Sequence, residues 1–272
     1  MMFNASDHLS RGLFVRPTLF RLLLVLIGLL FCHACAGVAP PELKVDRPSV
    51  NDLLIELDLS GRRFVTVRGL AKVAYVESGK KRSVSQVIIA QSPGSLRLET
   101  LGLFGSTALM ATTNDEELVV LVPGEGKAYV GRPDSGFLQR MIQLPLSADD
   151  IVSILLIHPV IVSPETTARI DYQKDGRSLL SFTTGPYQQE VGFDQSRRLV
   201  SVVNKVDDRI ISSLTYGRYQ DGFPALIQLD FVKNDIKVTL DFSDIETNID
   251  LDPDIFRIVP PPEYKIEPIP EF

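Results

Sequence analysis

Residues 62–76 read RRFVTVRGLAKVAYV. Val65, Val67, Gly69, Ala71, Val73 and Tyr75 occupy its odd positions, while Arg68 and Lys72 fall among the even ones. A period of two held over this length predicts a long strand with one face on a core. The same alternation returns near the C-terminus, with Ile236, Val238, Leu240 and Phe242 set against Lys237, Thr239, Asp241 and Ser243.

Upstream of the first strand, Ser49 and Asp52 form a capping-box pattern, and Val50, Leu53, Leu54 and Leu57 follow helical spacing. Ser60-Gly61 is the expected stop of this helix. Downstream, turn residues at Gly79-Lys80-Lys81, Ser92-Pro93-Gly94, Asn114-Asp115 and Pro123-Gly124 divide the chain into further strands as far as Val130. Phe137, Leu138, Met141 and Ile142 then share a helical face that stops at Leu144-Pro145. Ser147 and Asp150 open another helix, with Ile151, Ile154 and Leu155, and His158-Pro159 ends it. About seven strands follow from Ala168 to Ile245.

Hairpin-length connections throughout imply antiparallel pairing. The expected fold is mainly β with a few helices: a single large curved antiparallel sheet, an incomplete or half β-barrel, with helices covering an apolar concavity. Strand parity and helix faces nominate Val65, Val67, Leu96, Leu98, Phe137, Met141, Ile154, Phe182, Phe231 and Leu240 as cavity-lining residues. The proline-rich stretch after Asp250 reads as a tail that wraps the surface or hangs free.

The connection Leu101–Leu109, LGLFGSTAL, runs against the usual chemistry of turns. A hairpin tip is normally polar, yet here Leu101, Leu103 and Phe104 stand around Gly102 and Gly105. Leaving such side chains in water forgoes roughly 1.5–3 kcal/mol each. Either the tip folds back as a plug, or it meets a membrane or a lipid.

The N-terminal region is a leader. Arg11, Arg16 and Arg21 precede the apolar run Leu22–Phe31, which is short for a membrane span and fits a secretory signal. The run ends in Phe31-Cys32-His33-Ala34-Cys35, which resembles the lipobox of bacterial lipoproteins, with Cys35 as the lipid-modified first residue of the mature chain. Cleavage without lipidation is the plainer alternative. No aspartate follows Cys35, so inner-membrane retention is not signalled. The expected organisation is a signal peptide at 1–34, a tether at 35–47, a half-barrel domain at 48–250 and the tail at 251–272.

Composition narrows the function. A net charge of -6 argues against a broad basic face for nucleic acid. Beyond the leader the chain has no cysteine and one histidine, His158, so no metal cluster and no cofactor are expected. Gly124–Lys127 is too short for a phosphate loop. Asp149-Asp150 suits a helix N-terminus better than a catalytic pair. Asp207-Asp208 and Asp250/Asp252/Asp254 fit solvated turns, and His158 a capping or solvated place. An enzyme is not expected.

Several of these segments together resemble the outer-membrane lipoprotein receptor and insertase family, the LolB-like proteins. Phe64–Gly69 is similar to the family's F-x-x-x-G strand entry, with one residue more. Gly102-Leu103-Phe104-Gly105-Ser106-Thr107 is similar to its asparagine-proline-leucine-glycine-serine-threonine loop, with Leu103 in place of the proline. Leu144-Pro145-Leu146 matches its leucine-proline-leucine helix joint. The match is one of pattern over roughly two thirds of the chain. It implies an open barrel of the LolA/LolB carrier fold, with the membrane-insertion role falling on Phe104 beside Leu101 and Leu103. It also implies a lipid-anchored outer-membrane protein facing the periplasm, which takes lipid acyl chains or lipoprotein anchors from a periplasmic carrier and passes them to the membrane. A periplasmic lipid or lipoprotein shuttle and a non-catalytic structural partner in an envelope complex are the rival expectations.

Overall fold

The alternation of residues 66–77 becomes β1, the strand about which a fourteen-stranded sheet is assembled. The structure, a computed structural model, describes residues 47–114, 116–133, 136–161 and 168–269. The leader and Cys35 lie outside the described residues. All described residues belong to one compact unit, Val45–Phe272.

Three α-helices occur among the described residues. The first, α1 (Val50–Arg63), begins at the expected capping box: the Ser49 amide donates to Asp52 Oδ2 at 2.7 Å and the Asp52 amide to Ser49 Oγ at 3.2 Å. It does not stop at Gly61. That glycine sits inside the helix against the His158 ring, where a Cβ would fall 2.5 Å from the imidazole. Its small size serves packing, and the helix runs on to Arg63.

Six strands follow: β1 (Thr66–Glu77), β2 (Lys80–Gln91), β3 (Ser95–Leu101), β4 (Thr107–Thr113), β5 (Leu118–Val122) and β6 (Lys127–Gly131). Then come α2 (Phe137–Ile142) and α3 (Ala148–Leu155). The second run comprises β7 (Arg169–Tyr172), β8 (Ser178–Thr184), β9 (Tyr187–Phe193), β10 (Leu199–Val206), β11 (Arg209–Gln220), β12 (Phe223–Phe231) and β13 (Ile236–Thr247). A last strand, β14, spans Lys265–Pro268.

The order across the sheet is β14-β6-β5-β4-β3-β2-β1-β13-β12-β11-β10-β9-β8-β7. Each run is a meander of hairpins, and the two meet where β1 pairs antiparallel with β13. The sheet does not close. Register shifts at Leu70/Ala71, Thr100/Leu101 and Asn204/Lys205 bend the long strands. Gly69 stands next to the first of these, where a Cβ would lie 2.6 Å from the Asp244 carbonyl and 2.9 Å from the Phe242 ring. Glycine is what permits that approach.

Because β6 and β7 lie far apart in the sheet, the segment between them must travel from one side to the other. It does so as α2 and α3, packed on the main apolar core. That core is built from alternate residues such as Val67, Ile88, Leu96, Phe193, Ile227 and Phe242. Tyr216 fastens α3 down: its buried hydroxyl donates to the Ile154 carbonyl at 2.9 Å.

The C-terminal stretch is more than a tail. Leu251 and Phe256 pack on Ile89, and Ile258 and Tyr264 pack against the cluster of Val119, Leu121 and Ala128. Both contacts involve residues of opposite parity to the main core, so they cover the other face of the sheet. β14 then pairs parallel with β6, and Ile269 returns to the main core. Residues 251–269 thus continue the domain expected to end at 250. The contiguous apolar run LVVLV at 118–122 follows from this, being buried on both faces.

Two outcomes test this architecture. Deleting residues 251–272 strips Leu251, Phe256 and Ile269, each worth about 1.5–3 kcal/mol, against a total stability of about 5–15 kcal/mol. The truncated chain is expected to lose most of its urea resistance. Burial also pushes the Tyr216 phenol well above its usual pKa, and Tyr219 likewise, helped by Asp194. Unfolded tyrosine ionises near pH 10, so their contribution is intact below about pH 10 and is lost as pH rises above it. Urea midpoints should fall through that range, and less steeply in Tyr216→Phe.

Candidate functional site

Between the sheet and the helix pair lies a hollow of about 350 Å³. The strand register explains its floor. Val73 faces Val84 on one side and Leu240 on the other, and Tyr75 faces Arg82 and Val238. Leu98 and Leu229 extend the floor along β3 and β12. Met141, Ile142, Leu144 and Leu146 from α2 and the joint after it, with Ile151 and Ile154 of α3, form the roof.

Local geometry sets the roof in place. Gln143 adopts a left-handed backbone (φ 56°), its amide returning to the Gln139 carbonyl, and this ends α2. Ser147 caps α3: its Oγ accepts from the Asp150 amide at 3.1 Å, while Asp150 Oδ2 accepts from the Ser147 amide and hydroxyl at 2.9 and 2.7 Å. Asp150 is therefore a helix-capping acid, and the adjacent Asp149 is exposed in the first turn.

The walls are overwhelmingly apolar. Among the described residues Arg82 is the one charged residue in the lining. Its guanidinium lies 5.4 Å from the centre of the Tyr75 ring and 3.3 Å from a Glu77 oxygen. Burial, with Glu77 nearby, raises the Tyr75 phenol pKa above its ordinary value. That hydroxyl reaches the Gln143 carbonyl at 3.4 Å. Val84 is 40% exposed, so the hollow opens at this lip.

The residues nominated from sequence disperse. Leu98, Met141, Ile154 and Leu240 line the hollow. Phe231 and Ile154 line a smaller one beside it. Val67, Leu96 and Phe182 are buried in the solid core, and Phe137 packs at a tilt on Tyr129 with centroids 5.4 Å apart. Val65 precedes β1 instead of joining it: its amide is taken by the Asn248 side chain, and its own side chain is 51% exposed. It lines neither hollow. Parity had identified faces but not depth along a strand. Val73, Tyr75 and Val84 were missed because they lie toward the hairpin end, where the roof stands off the sheet.

The apolar connection between β3 and β4 rises at the same end of the sheet. Leu101 pairs with Ser85 and Thr107 and is half-buried. Phe104 is fully exposed and held in a left-handed backbone (φ 62°, ψ 21°), unusual for a residue with a bulky side chain. The side chain of Leu103 lies outside the described residues. The tip is thus not a plug at Phe104. Among the described residues no helix is long and apolar enough to cross a membrane, and no group of side chains is arranged to hold a metal ion.

No family model matches the chain, and no curated protein matches it. Solved structures do. A DUF1329 family protein from Desulfovibrio piger aligns over 76% of this chain and 95% of its own, at 14% identity and a TM-score of 0.53. A domain named for outer membrane lipoprotein sorting, from Vibrio parahaemolyticus, aligns over 76% and 97%, at 11% identity and 0.51. A LolA superfamily protein from Nitrosomonas europaea aligns over 78% and 99%, at 12% identity and 0.50. The chain has a LolA-like fold. At such identities the likeness is one of fold alone.

Phe104→Gly should relieve a left-handed backbone at a site with no packing to lose, leaving thermal stability unchanged or raised by up to about 1 kcal/mol. A loss of stability in a melting experiment would mean that the tip packs against the body.

Proposed function

We propose that this protein is an outer-membrane lipoprotein, anchored through Cys35 and facing the periplasm. In this LolB-like reading it receives acyl chains of other lipoproteins in its hollow and passes them to the membrane. The apolar hollow under the α2–α3 roof carries the proposal. An acyl chain leaving a bilayer exposes surface worth about 0.8 kcal/mol per CH₂, so a protein that hands one over must shield it. The lining offers that shield, with Arg82 the one charged side chain among its described residues. At about 350 Å³ the hollow is near the lower end of ligand pockets, which run from roughly 300 to 1,000 Å³. In this reading a hollow of that size shields part of an anchor and leaves the rest for the bilayer to take up. Release then runs downhill with no nucleotide. Phe104 supports the same reading, since a fully exposed aromatic ring at the hollow's end of the sheet is suited to enter the bilayer surface.

Three measurements test this. Mass spectrometry of protein extracted from its native membrane should find acyl groups on Cys35; an unmodified soluble chain would favour a shuttle. Leu240→Trp, which fills the hollow, should lower affinity for a fluorescent fatty acid by at least about tenfold, the equivalent of 1.4 kcal/mol. Phe104→Glu should bind that reporter normally yet fail to transfer a lipoprotein to vesicles. Normal transfer by this variant would falsify the insertion role.

A further inference from the structure

Beside the large hollow lies a second one of about 140 Å³, and the two share Leu146, Ile154 and Leu229 as a common wall. Their chemistry differs. The lining of the smaller includes Asp150, Ser153, Asn204, Ser212 and Ser213, and among the described residues no lysine or arginine lines it. Its polar groups are held in fixed orientations. The Gln189 amide, 3% exposed, donates to the Val160 carbonyl at 3.1 Å and to Asn204 Oδ1 at 2.9 Å. Asn204 Nδ2 in turn donates to Ser212 Oγ at 3.0 Å. A part-buried network of this kind is preorganised for hydrogen bonding and adds no positive charge.

We infer that the two hollows form one amphiphile site: the large one takes an acyl chain, and the small one its uncharged, amide- or hydroxyl-bearing head. This rests on the reading of the large hollow as an acyl site and adds a selectivity to it. A neutral head can exchange hydrogen bonds with Asn204 and the serines around it. A phosphate head would meet the Asp150 carboxylate with no cation in the lining to balance it, and like charges in a partly buried site repel strongly. The protein therefore distinguishes an acylated peptide terminus from an anionic phospholipid by its head, since the chains are alike.

The test uses the purified full-length protein and a bound fluorescent fatty acid as reporter. N-palmitoyl-serinamide and palmitoyl lysophosphatidic acid, which share a chain and differ in the head, compete for it. The serinamide should displace the reporter at a concentration at least about tenfold lower, the gain expected from one or two hydrogen bonds. Ser212→Leu, on the inner face of β11 beside Asn204, fills the small hollow and should abolish that preference, with a melting curve to show that the variant folds. Asp150→Asn, which removes the charge and keeps the shape, should improve competition by the lysophosphatidic acid alone. Equal competition by the two lipids in the unmodified protein, or a preference that survives Ser212→Leu, overturns the head assignment while the acyl site stands. If the reporter does not bind the unmodified protein, the acyl reading itself falls, and this inference with it.

Discussion

The ladder between β1 and β13 is the constraint on which the rest of the molecule depends. It pairs Val67–Glu77 with Ile236–Thr247 and, among the described residues, is the one strand pairing that joins the two meanders. Once it forms, β6 and β7 are carried to opposite sides of an open sheet. The chain between them can then connect only by crossing the apolar face. The roof is thus a result of connectivity, and its amphipathic helices are what such a crossing requires. The hollow remains because two short helices do not cover the whole face that fourteen strands present.

Much of this was legible in the sequence, for reasons that differ by element. Period-two alternation in β1 and β13 is strong because each has one buried and one wet face. The capping boxes at Ser49 and Ser147 marked helix starts because hydrogen bonds between neighbours depend on local spacing alone. The end of α1 was misread because Gly61 has a tertiary role, making room for His158, which local rules cannot see. β14 was missed for a related reason: it is short and proline-flanked, and its partner β6 lies far upstream. The run at Leu118–Val122 held a clue, since apolar residues of both parities imply a cover on the outer face.

The candidate site was less legible than the fold. Leu98, Met141, Ile154 and Leu240 were found because they lie on the inner face. Val67, Leu96 and Phe182 lie on it too, yet they fill the core. What separates the two groups is where the roof leaves the sheet, and that depends on the Gln143 turn and on the Tyr216 hydroxyl fastening Ile154. Arg82 and Tyr75, which make polar contacts at the large hollow's lip, flank a hairpin whose Gly79-Lys80-Lys81 read simply as a turn. The polar wall of the smaller hollow had no sequence signal, because Asn204, Ser212 and Asp150 converge from separate elements.

The partners in the central ladder are separated by most of the chain; Arg68 and Glu246, paired across it, are 178 residues apart. Contacts of such high sequence separation are slow to form, because loop closure must precede any gain from pairing. During synthesis the first meander has no β13 on which to lean until nearly all of the polypeptide has emerged, and Ile269 seals the core later still. A chain built this way stays unlocked while it is being made. It commits to its final shape only once β13 has paired with β1 and the stretch beyond it has reached the core.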